Sequence, residues 1–159
     1  MTDSFDIVSG WTPEIRFIFQ TQAGRSDNEL NSVQVRIGTD LMRVESVSES
    51  IRCFGSRYLE RVYTEAEIAY CACSATEMAR RLAARFAAKE ATLKVLRPHR
   101  HWLDWRDIEI VKTPGGWCEL QLHGAANRLR EQSGILSLSV SLSHEADYAI
   151  AVVAATVDS

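Results

Sequence analysis

Val33, Val35 and Ile37 alternate with Gln34 and Arg36, the two-residue period of a half-buried strand, and Gly38-Thr39-Asp40 reads as its end. Helical spacing follows through Val44, Val47, Ile51 and Phe54. Thr64-Glu65-Ala66-Glu67 and Ser74-Ala75-Thr76-Glu77 are capping boxes, and each predicts a helix start. The second opens the longest helix. Six alanines between 79 and 91 favour it, Leu82, Phe86, Leu93 and Leu96 trace one buried stripe, and Pro98 ends it near Arg97. Residues 107–112 and 117–122 predict two strands joined by the turn Thr113-Pro114-Gly115-Gly116, and residues 125–132 a short helix. Leu136, Leu138, Val140 and Leu142 then alternate with Ser137, Ser139, Ser141 and Ser143, and His144–Asp147 turns into a last apolar strand, 148–157. This order of elements predicts an α+β fold with helices packed on a mainly antiparallel sheet.

A chain of 159 residues, 46% of them apolar, suits one globular domain with a real core. It is too apolar to be disordered, and it holds no apolar run near the roughly 20 residues that cross a bilayer. The N-terminus lacks the basic and apolar regions of a secretory signal. Residues 1–33 read as an acidic N-terminal extension, with a possible strand at 14–19 and a linker-like stretch at 21–32; residues 34–159 read as the functional domain. The four cysteines point to reduced thiols and a cytoplasmic location. The pair Cys71 and Cys73, with His99 and His101 beyond, does not have the spacing of a structural zinc site.

Charge changes the picture more than its total of −3 implies. Residues 1–33 carry five acids and two bases, so the remainder is neutral. Within that remainder, residues 78–100 hold seven bases and one acid, Glu90. The total argues against bulk nucleic-acid binding, and the cluster fits one compact anionic ligand.

Glu90, Lys94 and Arg97 follow one another at helical spacing, and Arg81, Arg85 and Lys89 lie along another flank. Spacing alone allows a solvated basic face with one ion pair, or a phosphate-binding face that keeps one carboxylate for a metal. Asp40 is the candidate second carboxylate, or simply the cap of the helix that follows. His144 is either structural or a phosphate donor at a strand end.

Taken together, Gly38-Thr-Asp40-Leu, Phe54-Gly-Ser-Arg-Tyr-Leu-Glu-Arg-Val-Tyr-Thr64-Glu-Ala-Glu67, Arg85-Phe-Ala-Ala-Lys-Glu90-Ala-Thr-Leu-Lys94, Asp107-Ile-Glu-Ile, Ser141-Leu-Ser-His144 and Tyr148-Ala-Ile-Ala-Val-Val resemble the holo-[acyl-carrier-protein] synthases, the short class of 4′-phosphopantetheinyl transferases. The resemblance spans residues 34–157. It implies the fold of that superfamily and Mg²⁺-dependent transfer of 4′-phosphopantetheine from coenzyme A to a serine of an apo acyl carrier protein, releasing adenosine 3′,5′-bisphosphate. By the same resemblance, Asp40 and Glu90 hold the Mg²⁺, Glu90 also activates the serine, and Lys94 contacts the pyrophosphate. Arg85 and His144 approach the 3′-phosphate, Lys89 joins the coenzyme A set, and Arg57 and Tyr58 dock the carrier. The chain carries one set of motifs, like the short class, whose members form homotrimers with sites between subunits. The carrier stays open among fatty-acid, polyketide and dedicated natural-product systems.

The chain departs from the family pattern at several points. Arg43 stands where an acidic residue is usual, and Arg80-Arg81 sits closer to Glu90 than the usual arginine pair. Gly116-Trp117-Cys118 replaces a Gly-x-Pro turn, residues 97–105 replace a glycine-rich connection, and residues 1–33 have no counterpart. The competing readings are a non-catalytic module that binds a carrier protein or nucleotide, and a metal-dependent phosphoesterase.

Overall fold

A computed structural model describes residues 34–98 and 103–158. The expected strand at 14–19, the extension 1–33, and His99 and His101 lie outside those residues. The described part comprises β1 (Gln34–Arg43), α1 (Val44–Phe54), α2 (Ser56–Val62), α3 (Glu65–Ala72), α4 (Met78–Leu96), a 3-10 turn (Trp105–Asp107), β2 (Ile108–Lys112), β3 (Cys118–Leu122), α5 (Gly124–Gln132), β4 (Ile135–Glu145) and β5 (Tyr148–Val157). Strands β1, β5 and β4 form one antiparallel sheet in that order, and β2 pairs with β3 in a separate hairpin. The α+β fold expected from the element order is the fold observed.

Small residues set the closeness of the packing. Along α4, Ala83, Ala84, Ala87, Ala88 and Ala91 are fully buried, against Ala149, Ala151, Val153 and Ala155 of β5. The buried face of α4 is therefore broader than the predicted leucine stripe. Phe86 is only half-buried and leans on Trp105, their rings 5.2 Å apart. Arg85 and Lys89, part of the flank for which spacing alone allowed a solvated face, are 2% and 0% exposed.

β1 does not end at Gly38–Asp40. It pairs with β5 without interruption from Gln34 opposite Val157 to Arg43 opposite Tyr148, so Asp40 sits in mid-strand and caps nothing. Gly38 is where α4 crosses the strand: a Cβ there would lie 2.1 Å from the Ala91 carbonyl oxygen. In an open strand, Gly→Ala stabilises by roughly 0.5–1 kcal/mol. Here the clash is with helix backbone, which cannot rotate aside, and overpacking costs about 1–3 kcal/mol. Gly38→Ala is therefore expected to lower the melting temperature, as differential scanning calorimetry would measure; an unchanged or raised Tm would contradict the close approach.

Thr64 forms the capping box expected of it, accepting from Glu67 N while Glu67 accepts from Thr64 N. The second box does not form. The Ser74 hydroxyl pairs with Thr76, Glu77 is the N-cap of α4, and its carboxylate is held by Arg80 at 2.6 Å instead of reaching back to Ser74. Arg97 closes α4 in a left-handed conformation with φ +53°, immediately before Pro98. β4 runs on to Glu145, so the expected turn at His144–Asp147 shortens to Ala146-Asp147, and His144 pairs with Ala149 inside the ladder.

Candidate active site

The close crossing at Gly38 brings the middle of β1 against the C-terminal half of α4. Lys94 Nζ donates to the Thr39 carbonyl and lies 3.0 Å from Asp40 Oδ1. Glu90, one turn before Lys94, faces the same group. Partial burial, and then the negative charge of Asp40, push the Glu90 carboxyl above the usual carboxylate range, while Lys94 pulls it back. Two acids whose charges oppose each other beside one ammonium form a place where an added cation relieves repulsion. No group of three or more His, Cys, Asp or Glu comes together among the described residues. A hard divalent ion held by Asp40 and Glu90 alone would take its other ligands from water and phosphate oxygens, the habit of Mg²⁺.

A second arrangement lies on another side of α4. Arg81, Arg85, Lys112 and His144 line a cavity of about 280 Å³ together with Tyr70 and Cys118. The Arg85 guanidinium stacks 4.4 Å from the Tyr70 ring centre, and its Nη1 donates to the Arg81 carbonyl at 3.3 Å. Its Nε is buried with no partner, and no carboxylate lies within ion-pair distance of Arg85 among the described residues. A buried cation without a counter-ion carries a desolvation penalty of several kcal/mol, which an arriving anion would offset. Arg85 and His144 thus line one cavity. Asp40, Glu90 and Lys94 do not line that cavity.

Lys89 requires a correction. It was expected among the coenzyme A contacts, but its ammonium is sealed in the core, 2.9 Å from Glu67 Oε2, and donates to the Trp105 and Ile108 carbonyls. Lys89 and Glu90 are neighbours in sequence, but consecutive positions of an α-helix are turned about 100° apart, so the two side chains leave α4 in different directions. The expected carrier-docking pair also divides. Arg57 is exposed, but Tyr58 is half-buried, with its ring edge-on to Tyr63 and its hydroxyl 3.4 Å from the Tyr63 hydroxyl. At the end of α1, Phe54 stands 64% exposed, which its place in the predicted apolar spacing of α1 did not foretell. Tyr70 and Lys112 were also not anticipated, because no spacing links residues on α3 and β2 to Arg85. Cys71 and Cys73 do not pair as metal ligands would: Cys71 is fully buried, which pushes its thiol up to about 11, and Cys73 is exposed.

Comparison with known proteins decides the family. The sequence pattern of the 4′-phosphopantetheinyl transferase superfamily matches residues 36–153. The chain is 42% identical over 118 residues to the holo-[acyl-carrier-protein] synthase of Gloeobacter violaceus, covering 74% of this chain and 89% of that one. This chain belongs to the holo-[acyl-carrier-protein] synthases of the 4′-phosphopantetheinyl transferase superfamily. Its fold agrees with solved synthases. The Chronobacterium ammoniagenes synthase–CoA complex superposes with a TM-score of 0.70 at 27% identity, covering 79% of this chain and 99% of that one. The Helicobacter pylori holo-[acyl-carrier-protein] synthase in complex with coenzyme A superposes with a TM-score of 0.65 at 31% identity, covering 76% and 99%. As a synthase of this family the chain is an enzyme, and both arrangements described above fall within the matched segment.

Proposed function

We propose that this synthase transfers 4′-phosphopantetheine from coenzyme A to a serine of an apo acyl carrier protein, with Mg²⁺, leaving adenosine 3′,5′-bisphosphate. The observation that carries the reading is the convergence of Asp40, Glu90 and Lys94 at the β1–α4 crossing. Asp40 and Glu90 would hold the Mg²⁺, which when bound neutralises charge on the pyrophosphate. Lys94 lies beside them and offers a second positive charge where the phosphoanhydride breaks. Glu90, its carboxyl already raised, is placed to take the serine proton directly or through one water. Arg85 and His144 hold the 3′-phosphate and so orient the donor. Arg57, exposed at the start of α2, supplies positive charge for an acidic carrier surface, with the half-buried Tyr58 next to it in the chain.

The catalytic unit in this reading is residues 34–159, working in the cytoplasm; among the described residues no helix is long and apolar enough to cross a membrane. It assembles as a homotrimer. The face of the β1-β5-β4 sheet turned away from α4 exposes Ile37 at 66%, Leu41 at 61% and Ile150 at 46%, side chains that a second copy would cover. The Arg85–His144 cavity lacks the acids of the other arrangement, so a neighbouring copy would bring the two together. Ile37→Glu is expected to yield monomers by analytical ultracentrifugation and to abolish transfer; a monomeric, fully active variant would refute the shared site.

The test of the activity is direct. Apo carrier proteins incubated with coenzyme A, Mg²⁺ and the enzyme are expected to gain the mass of one phosphopantetheine. Coenzyme A binding with no gain across carriers of the same organism would favour a non-catalytic module instead.

A further inference from the structure

The tandem arginines Arg80 and Arg81 precede Glu90 more closely than the family's pair does, and the structure separates them. Arg80 bonds Glu77 at 2.6 Å and reaches the Ala146 carbonyl at 3.4 Å. Arg81 turns into the cavity that holds Arg85. Its guanidinium sits 5.3 Å from the same Tyr70 ring centre that Arg85 faces at 4.4 Å, and its Nη1 donates to the Tyr70 carbonyl at 3.5 Å. Lys112 enters from the β2–β3 hairpin. One of its ammonium protons goes to the Gly116 carbonyl, leaving two for a ligand.

We propose that Arg81 and Lys112 join Arg85 and His144 in gripping a terminal phosphomonoester of the nucleotide donor, and that they set the enzyme's preference for a 3′-phosphorylated donor. This rests on the activity proposed above and adds Arg81 and Lys112 to the Arg85 and His144 named there.

Among the described residues, three permanent cations and one imidazole face a cavity whose single acid, Glu77, is already engaged by Arg80. Two guanidiniums over one ring repel each other, and the buried Arg85 Nε has no partner among the described residues. A monoanion would leave most of that charge unanswered. A phosphomonoester carries nearly two negative charges at neutral pH and three acceptor oxygens, enough to engage several donors at once. The volume points the same way: about 280 Å³ falls just below the usual range for a whole small-molecule ligand, so the cavity takes a group rather than the entire cofactor. Arginine at 81 is suited to two-point contact with phosphate, while Lys112 acts as a point charge. Cys118 shares the cavity wall and serves as a reporter of its occupancy.

Isothermal calorimetry on the full chain, with coenzyme A and with 3′-dephospho-coenzyme A, tests this. The unaltered enzyme is expected to bind coenzyme A more tightly. Arg81→Ala should weaken coenzyme A by roughly tenfold, leave the dephospho form unchanged, and so narrow the gap between them. In turnover it should raise KM for coenzyme A with kcat little altered. Arg81→Lys should recover part of the loss, and Lys112→Ala should show a smaller loss of the same kind. Coenzyme A should also shield Cys118 from iodoacetamide in peptide mapping, less so in Arg81→Ala. Equal weakening of both donors in a folded Arg81→Ala protein, or no weakening of either, overturns the proposal. Failure of the parent enzyme to bind or use coenzyme A overturns the activity itself, and is seen before any variant is made.

Discussion

Glu90→Gln is expected to reduce transfer by on the order of a thousandfold while the folded protein melts at the same temperature or slightly higher. Both halves follow from the same geometry. Glu90 is partly buried beside Asp40, and both facts push its carboxyl upward, which means the ionised form is unfavourable there. Glutamine keeps the shape and removes the repulsion, so stability is not lost. It also removes one of the two carboxylates available to Mg²⁺ and the group placed to receive the serine proton. The pair of measurements separates roles: mass spectrometry of the carrier reports transfer, and a thermal melt reports the fold. Asp40→Asn should behave similarly in transfer, though the loss of its contact with Lys94, half exposed and worth less than about 1 kcal/mol, leaves stability nearly unchanged. Turnover near the parent's in both variants would reject the assignment of the metal carboxylates.

Local patterns made most of the elements legible. The alternation at 136–143 and the last apolar strand fixed β4 and β5 nearly to their ends, and the Thr64 capping box marked the start of α3. What failed had its cause in tertiary contacts. Gly38 looked like a strand end because glycine so often punctuates; its real reason is the passage of Ala91 above it. The Ser74 box had the right letters, but Arg80 took the glutamate that would have completed it. In the site, Glu90 and Lys94 were visible through charge and helical spacing, and Asp40 through motif order. The cavity was harder. Arg85 and His144 carry no sequence mark of facing one another, and Tyr70, which orders both Arg81 and Arg85, comes from a different helix. Lys89 misled for a simple reason: a lysine in a basic run reads as solvated, and nothing in the run reveals that Glu67 waits for it in the core.

That buried pair leads to the largest expected effect on stability. Lys89→Met should cost about 3–5 kcal/mol, a large share of the roughly 5–15 kcal/mol that holds a domain folded. The lysine is buried completely, and each of its three ammonium protons has a partner: Glu67 at 2.9 Å, the Trp105 carbonyl at 2.9 Å and the Ile108 carbonyl. Glu67 in turn accepts from Ile110 N at 3.1 Å and from Thr64 N at 3.0 Å, so the pair ties α3, α4 and β2 together. Burial lowers the Lys89 pKa even against the pull of Glu67, so the charged pair persists only because its bonds are complete. Methionine fits the volume but abandons two carbonyls and leaves an ionised carboxylate in the core. The isosteric pairing Lys89→Met with Glu67→Gln removes that stranded charge and keeps an acceptor for Ile110 N. The double variant should therefore be more stable than Lys89→Met alone, a coupling that urea titrations of both single variants and the double would measure. Simple additivity across the cycle, or a Lys89→Met protein as stable as the parent, would show that the pair contributes only packing. Because α4 also carries Glu90, the destabilised single variant should lose transfer as its folded fraction falls, and the double variant should recover both together.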